Sequence, residues 1–214
     1  MSVRPHWLNA GATSALAAAA FVGSLALING CALGARHVNL TYGPGMPPVP
    51  SRPPTYGHVA VAPLADGRQP HEGTGRLLGK VRNGYGMPTA SVLANQDPVL
   101  WVTEGVARAL ANQGFTVDRV GSSAEARGAP TITGIVLRAS GGMYMSMDAN
   151  VSTALNIEHQ GQVVARLQCE GHATRTAWTA STEEYKTVFE AAMASFAEQC
   201  GPRLAQILTG AASQ

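Results

Sequence analysis

The sequence predicts an α+β domain: a mixed or antiparallel sheet of four to five strands with two helices on one face, preceded by a signal peptide and a Pro-rich linker. Three observations carry this. Apolar residues recur at helical spacing in two stretches, one after Asp97-Pro98 and one after Ser181. Between them, two long alternating segments are joined by Glu158-His159-Gln160-Gly161, the pattern of a hairpin. Ahead of both lie an uncharged apolar run and a dense cluster of prolines.

The apolar run comes first. Arg4 is the only charged side chain before Arg36, and residues 15–28 carry no charge. That run is short for a spanning helix, which needs about 20 apolar residues, and it fits a secretory signal. It ends in Leu27-Ile28-Asn29-Gly30-Cys31, which resembles a bacterial lipobox, where the Cys is acylated and becomes the first residue. An uncleaved anchor containing a buried Cys is the other reading of the same stretch. Ala32 follows Cys31 where an Asp would retain a lipoprotein at the inner membrane; the resemblance therefore implies the outer membrane, periplasmic face.

Residues 36–42 alternate briefly, and residues 44–54 are too rich in Pro for helix or strand interior. The expected organisation is a signal peptide (1–30), a lipidated Cys with a Pro-rich linker (31–57), and a single α+β periplasmic domain (58–212). Within that domain, residues 58–64 read as a strand closed by Asp66-Gly67. Residues 68–96 are Gly-rich and poorly periodic, with short strand candidates at 80–82 and 90–93. Asp97-Pro98 opens a helix with the stripe Val99, Val102, Val106, Ala109, Leu110, and Gly114 closes it. Strands follow at 115–120 and 131–138, and Gly141-Gly142 interrupts the second. The hairpin has Val151, Thr153, Leu155 and Ile157 on one arm and Val163, Ala165, Leu167 and Cys169 on the other. Ser181-Thr182-Glu183-Glu184 is a capping box for the last helix, which Gly201-Pro202 is expected to break or kink.

Composition excludes several classes. With 15 Lys+Arg against 13 Asp+Glu, the net charge of +2 lacks the basic footprint of a nucleic-acid binder. Charged residues are 13% of the chain, about half the usual ~25%, which argues against a disordered charged tail. No GxSxG, HExxH or P-loop occurs, and Gly73-Thr74-Gly75-Arg76-Leu77-Leu78-Gly79 misses the spacing of a dinucleotide loop. No enzyme activity and no cofactor are expected. No metal site is expected either, because CxxC is lacking and the six His are scattered.

With Cys31 assigned to the lipid, Cys169 and Cys200 remain for an oxidising compartment. A strand face and a covering helix can bring them together as a disulfide; two buried thiols are the alternative. Three further features are candidates for function. Arg76, Lys80 and Arg82, with Tyr85, form a candidate anion-binding loop, or a solvated one. Met143, Met145 and Met147, with Tyr144, form an adaptable surface or one face of a strand. Trp101 and Trp178 are exposed anchors or core.

Taken in order, the lipobox, Val38-Asn39-Leu40, Val59-Ala60-Val61, Gly84-Tyr85-Gly86, Asp97-Pro98, the helix ending at Gly114-Phe115, the long hairpin and the terminal helix resemble the YajG family of small Gram-negative lipoproteins. The resemblance implies an outer-membrane lipoprotein and no reaction. The expected function is that of an interaction or scaffold protein of the cell envelope, held to the membrane by lipid on Cys31, with an envelope protein or lipid as partner. The alternative is an auxiliary or carrier subunit binding lipid or cell-wall fragments for an envelope transport system.

Overall fold

The computed structural model describes residues 34–44, 46, 55–70, 73–126, 128–176 and 179–211. The signal peptide, Cys31, Trp178 and most of the Pro-rich run lie outside the described residues. Strands β1 (Arg36–Val38), β2 (His58–Val61), β3 (Ala65–Asp66), β4 (Leu77–Arg82) and β5 (Pro88–Ala94) precede helix α1 (Pro98–Asn112). Strand β6 (Thr116–Arg119), a single 3-10 turn (Ser123–Glu125), β7 (Thr131–Met143), β8 (Met147–His159), β9 (Gln162–Arg175) and helix α2 (Thr182–Ala211) follow.

The fold is α+β with two helices, but the sheet is mixed and has nine strands, not four or five. The difference comes from β1 and β3, which are two or three residues long, and from β4 and β5, which lack the long alternation that marks a strand in sequence. Strand β7 organises the sheet. One edge pairs antiparallel with β8 along its whole length, and β8 pairs with β9. The other edge is divided among three parallel partners. Strand β2 takes Thr131 and Ile132, β3 takes Ile135 and Val136, and β4 takes Met143. Strand β6 extends β2, while β5 and then β1 extend β4.

Two boundaries are corrected by this pairing. Gly141-Gly142 does not interrupt β7, because β8 matches it to the end: Gly141 with Ala149, Gly142 with Asp148, Met143 with Met147. Residues 36–44 and 46, expected in the tether, belong to the folded body. Strand β1 is an edge of the sheet, Leu40 and Met46 are buried, and the Trp101 Nε1–H donates to the Thr41 carbonyl at 3.2 Å. Tyr42 lies against Trp101 with ring centroids 6.0 Å apart, and the Arg108 guanidinium sits 4.0 Å from the centre of the Tyr42 ring. The prolines of 47–54 therefore connect two strands of one sheet and do not separate the domain from Cys31.

Local signals fix the helix ends. The Asp97 carboxylate accepts from the Val99 N–H at 2.7 Å, with Pro98 in the first turn. At the other end of α1, Gly114 has φ 95°; its N–H donates to the Ala111 carbonyl and that of Phe115 to the Leu110 carbonyl. For α2, the Ser181 hydroxyl accepts from the Glu184 N–H at 3.2 Å and the Glu184 carboxylate accepts from the Ser181 N–H at 2.9 Å. Helix α2 does not end at Gly201-Pro202. Pro202 is on the exposed side, where a helix curving around a core loosens its hydrogen bonds.

Both helices cover the same face of the sheet and lie side by side, Gly105 against Met193 and Gln113 against Gly201. Tyr185, Phe189, Ala192, Phe196 and Cys200 on α2 are buried against Leu155, Leu167 and Cys169. Cys169 and Cys200 form a disulfide with Cα atoms 5.5 Å apart. Two residues along β9, a Cβ on Gly171 would lie 2.3 Å from the Ala192 carbonyl oxygen and 2.5 Å from the Phe196 nitrogen. Backbone atoms of a disulfide-held helix cannot step aside as a flexible side chain would.

Gly171→Ala is therefore expected to lose stability at the upper end of the overpacking range, about 3 kcal/mol. Gly84→Ala, where nothing lies within 4 Å of the new methyl, is the control. Urea unfolding of the two variants checks this, with a large loss for the first and a near-native midpoint for the second.

Candidate functional site

Four of the large apolar side chains that the domain exposes, Tyr85, Met87, Tyr144 and Met145, gather at one end of the sheet. Strands β4 and β7 run parallel and meet at Val81 and Met143, so the turns that follow them emerge together. The first turn, residues 83–87, is built on Asn83. Its side-chain carbonyl accepts from the Tyr85 and Met87 N–H groups, both at 3.0 Å, and its backbone carbonyl accepts from the Gly86 N–H at 2.8 Å. The Arg82 guanidinium folds over the turn and donates to the Gly86 carbonyl at 2.8 Å. The second turn, residues 144–146, is closed by the Tyr144 N–H donating to the Ser146 carbonyl. A Cβ on Gly86 would lie 3.9 Å from the Tyr144 ring, which sets the distance between the two tips.

These tips carry large apolar side chains into solvent: Tyr85 is 90% exposed, Met145 82%, Met87 57% and Tyr144 49%. The methionine alternation expected over 143–147 does not hold. The turn between Met143 and Met147 projects Met145 outward while Met147 is fully buried. Trp101 belongs to the core, edge-on to Phe189 with centroids 6.1 Å apart.

Behind the tips, a groove of about 380 Å³ runs along β4, beside its close backbone approach to β7 at Gly79 and Gly141. Lys80 and Arg82 line it on one side, Ser140, Gly142 and Asp148 on the other. Arg76 precedes β4 and Lys80 and Arg82 lie within it, so the three cations of the candidate anion-binding loop are spaced along one strand. The loop leading into β4 is held by a buried side chain. Arg68, 1% exposed, makes a two-point contact with Asp66 at 2.9 and 2.8 Å and donates to the Gly75 carbonyl at 2.8 Å. The same guanidinium holds the Asp66 carboxyl below the usual carboxylate range.

Asp148 is the perturbed acid of the groove. Burial pushes its pKa up, while the charge of His172 and a backbone hydrogen bond pull the other way. The Tyr185 hydroxyl nearby is fully buried, without a hydrogen-bond partner among the described residues, and its pKa is pushed up to about 12 by burial and then by the charge of Asp148. On β9 the Thr174 hydroxyl lies 2.8 Å from the His172 Nε2, and both side chains are exposed; among the described residues no group of three His, Cys, Asp or Glu could hold a metal. The lining of the groove carries both signs of charge, Lys80 and Arg82 with Asp148.

The raised Asp148 pKa means that the folded state keeps this proton to higher pH than the unfolded chain, whose value is 3.8. Stability from this group is thus unaffected below that value, falls as pH rises through the window above it, and is a net cost at neutral pH. Asp148→Asn is expected to raise the Tm at neutral pH and to lose that advantage near pH 3. Thermal unfolding across pH checks it, and equal gains at both ends would contradict it.

The sequence matches no family model and no curated relative. Among solved structures, the chain is similar to a Xanthomonas campestris protein assigned to the family DUF330, with a TM-score of 0.54 at 14% identity, covering 84% of this chain and 98% of that one. An uncharacterized protein aligns with a TM-score of 0.49 at 12% identity, covering 80% and 99% of the two chains. A candidate lipoprotein of Caulobacter crescentus aligns with a TM-score of 0.41 at 17% identity, covering 61% and 91%. At this identity, what the chain has in common with the DUF330 protein is its fold.

Proposed function

We propose that this chain is an envelope lipoprotein, anchored at the periplasmic face of the outer membrane by lipid on Cys31, where it works as a non-enzymatic interaction or scaffold protein. The observation that carries the reading is the distance between anchor and fold. Strand β1 joins the sheet at Arg36, five residues after the lipobox Cys31, so a lipid there holds the folded body close against a bilayer. A triacylated Cys buries enough methylenes, at ~0.8 kcal/mol each, to keep a protein on the membrane. No helix among the described residues is long and apolar enough to cross one. The resemblance to the YajG family and the cysteine pair bonded at Cys169–Cys200 both fit an oxidising compartment.

The alternative, an auxiliary or carrier subunit binding lipid or cell-wall fragments for an envelope transport system, needs a concave apolar cleft. The groove along β4 is open and lined by Lys80, Arg82 and Asp148, which favours the scaffold reading.

Replacing Cys31 with Ala and fractionating the envelope tests the anchor. The native chain is expected with outer membranes and acylated; the variant is expected to leave that fraction. Equal recovery of both in the outer membrane would overturn the reading. Crosslinking of the native chain in intact envelopes is expected to trap a protein partner, not free lipid alone.

A further inference from the structure

Two turns from distant parts of the chain present four large apolar side chains at one end of the sheet, more of them and more exposed than the Val163–Val164 pair at the opposite end. Tyr85, Met87, Tyr144 and Met145 are each about half exposed or more, and the Val81–Met143 pairing holds them together. Nothing in the core requires them. The turn bearing Tyr85 is fixed by Asn83 and Arg82, so the side chains are displayed on a set backbone.

The direction of β1 says what faces this patch. Strand β5 starts at the first tip and runs away from it, and β1 lies parallel to β5 with Arg36 beside Val92. The chain therefore joins the sheet from the side of the tips. Val92 is five residues from Met87, and Arg36 is five residues from Cys31. Five residues span at most about 18 Å, so a bilayer holding a lipid on Cys31 lies within that distance of Arg36. The tips are about the same distance from Arg36 along β5.

We infer that the two tips form a membrane-contact surface that rests in the headgroup layer of the bilayer to which the chain is anchored. This rests on the anchoring proposed above. The chemistry suits that layer. Tyrosine places an apolar ring and a polar hydroxyl at the headgroup level, and methionine fills irregular apolar surroundings. Lys80, Arg82 and Arg175 stand behind the tips at the same end of the sheet, where they meet lipid phosphates. Four side chains and three cations bind weakly alone. Next to a covalent lipid they act at high effective concentration, which makes them an orienting contact and not an anchor. The consequence is a fixed pose. The tips point to the membrane, and the β8–β9 turn, at the other end of these long strands, points away from it.

The test uses the full-length acylated protein in vesicles of phosphatidylethanolamine and phosphatidylglycerol carrying a headgroup nitroxide. Cys169 and Cys200 are bonded and Cys31 is acylated, so a single added Cys takes the fluorescent label. Met145→Cys is expected to show a blue-shifted label quenched several-fold more than one on Gln162→Cys. Adding Tyr85→Ser and Met87→Ser is expected to bring quenching at 145 down toward the level at 162, with flotation unchanged. Protein that floats with both labels equally exposed to water overturns the contact surface alone, as does crosslinking of the tips to a protein in place of lipid. Protein that does not float overturns the anchoring, and this inference with it.

Discussion

Helix α2 crosses β9 at Gly171, where its own backbone lies against a strand without a side chain. That approach lets Phe189, Ala192 and Phe196 reach the sheet while α2 still packs beside α1 through Met193 and Gly105. The Cys169–Cys200 bond fixes the crossing from one side, and the Arg203 guanidinium donates to the Gln168 carbonyl at 3.2 Å just beyond it. A larger residue at 171 would lift the helix off the sheet along this whole seam. The long hairpin, the helical layer and the buried face of β8 share this contact.

With its inner face so covered, β7 is left to join everything else. Its full-length pairing with β8 makes it rigid, and its other edge divides among β2, β3 and β4. The last of these three brings the turn after β4 beside the turn after β7. The apolar tips are thus a consequence of topology, and their position relative to Arg36 follows from the parallel pairing of β1 with β5. At the other end of β4, buried Arg68 holds the loop that leads into the strand through its two-point contact with Asp66.

What the sequence makes legible is local. Asp97-Pro98, Gly114 and the Ser181–Glu184 box announce both helices because capping chemistry acts over three or four residues. The β8–β9 hairpin is legible because its alternation is long and its turn carries Gly161. The turn at residues 144–146 contains no Gly, Pro or Asn, so nothing separates it from a continuing strand, and Met145 reads as part of a face. Strands β1 and β3 owe their existence to partners far along the chain, Arg36 to Val92 and Asp66 to Val136, which no short window contains, and so does the place of the β4–β5 hairpin beside β7, Val81 to Met143. The candidate site was half visible for the same reason. Tyr85 and Tyr144 stand out singly, and only the pairing of β4 with β7 makes them one surface.

If the α2–β9 crossing is the constraint on which this arrangement depends, the bond that secures it must count toward the stability of the whole. Cys169 and Cys200 are 31 residues apart, and closing such a loop contributes about 3–4 kcal/mol in the chain-entropy picture. Urea unfolding of the oxidised and reduced protein, followed by far-ultraviolet circular dichroism and tryptophan fluorescence together, measures this directly. The account predicts that reduction lowers the midpoint by that amount while helix and sheet signals still fall in one transition. An unchanged midpoint, or a helical signal lost ahead of an intact sheet, would contradict it.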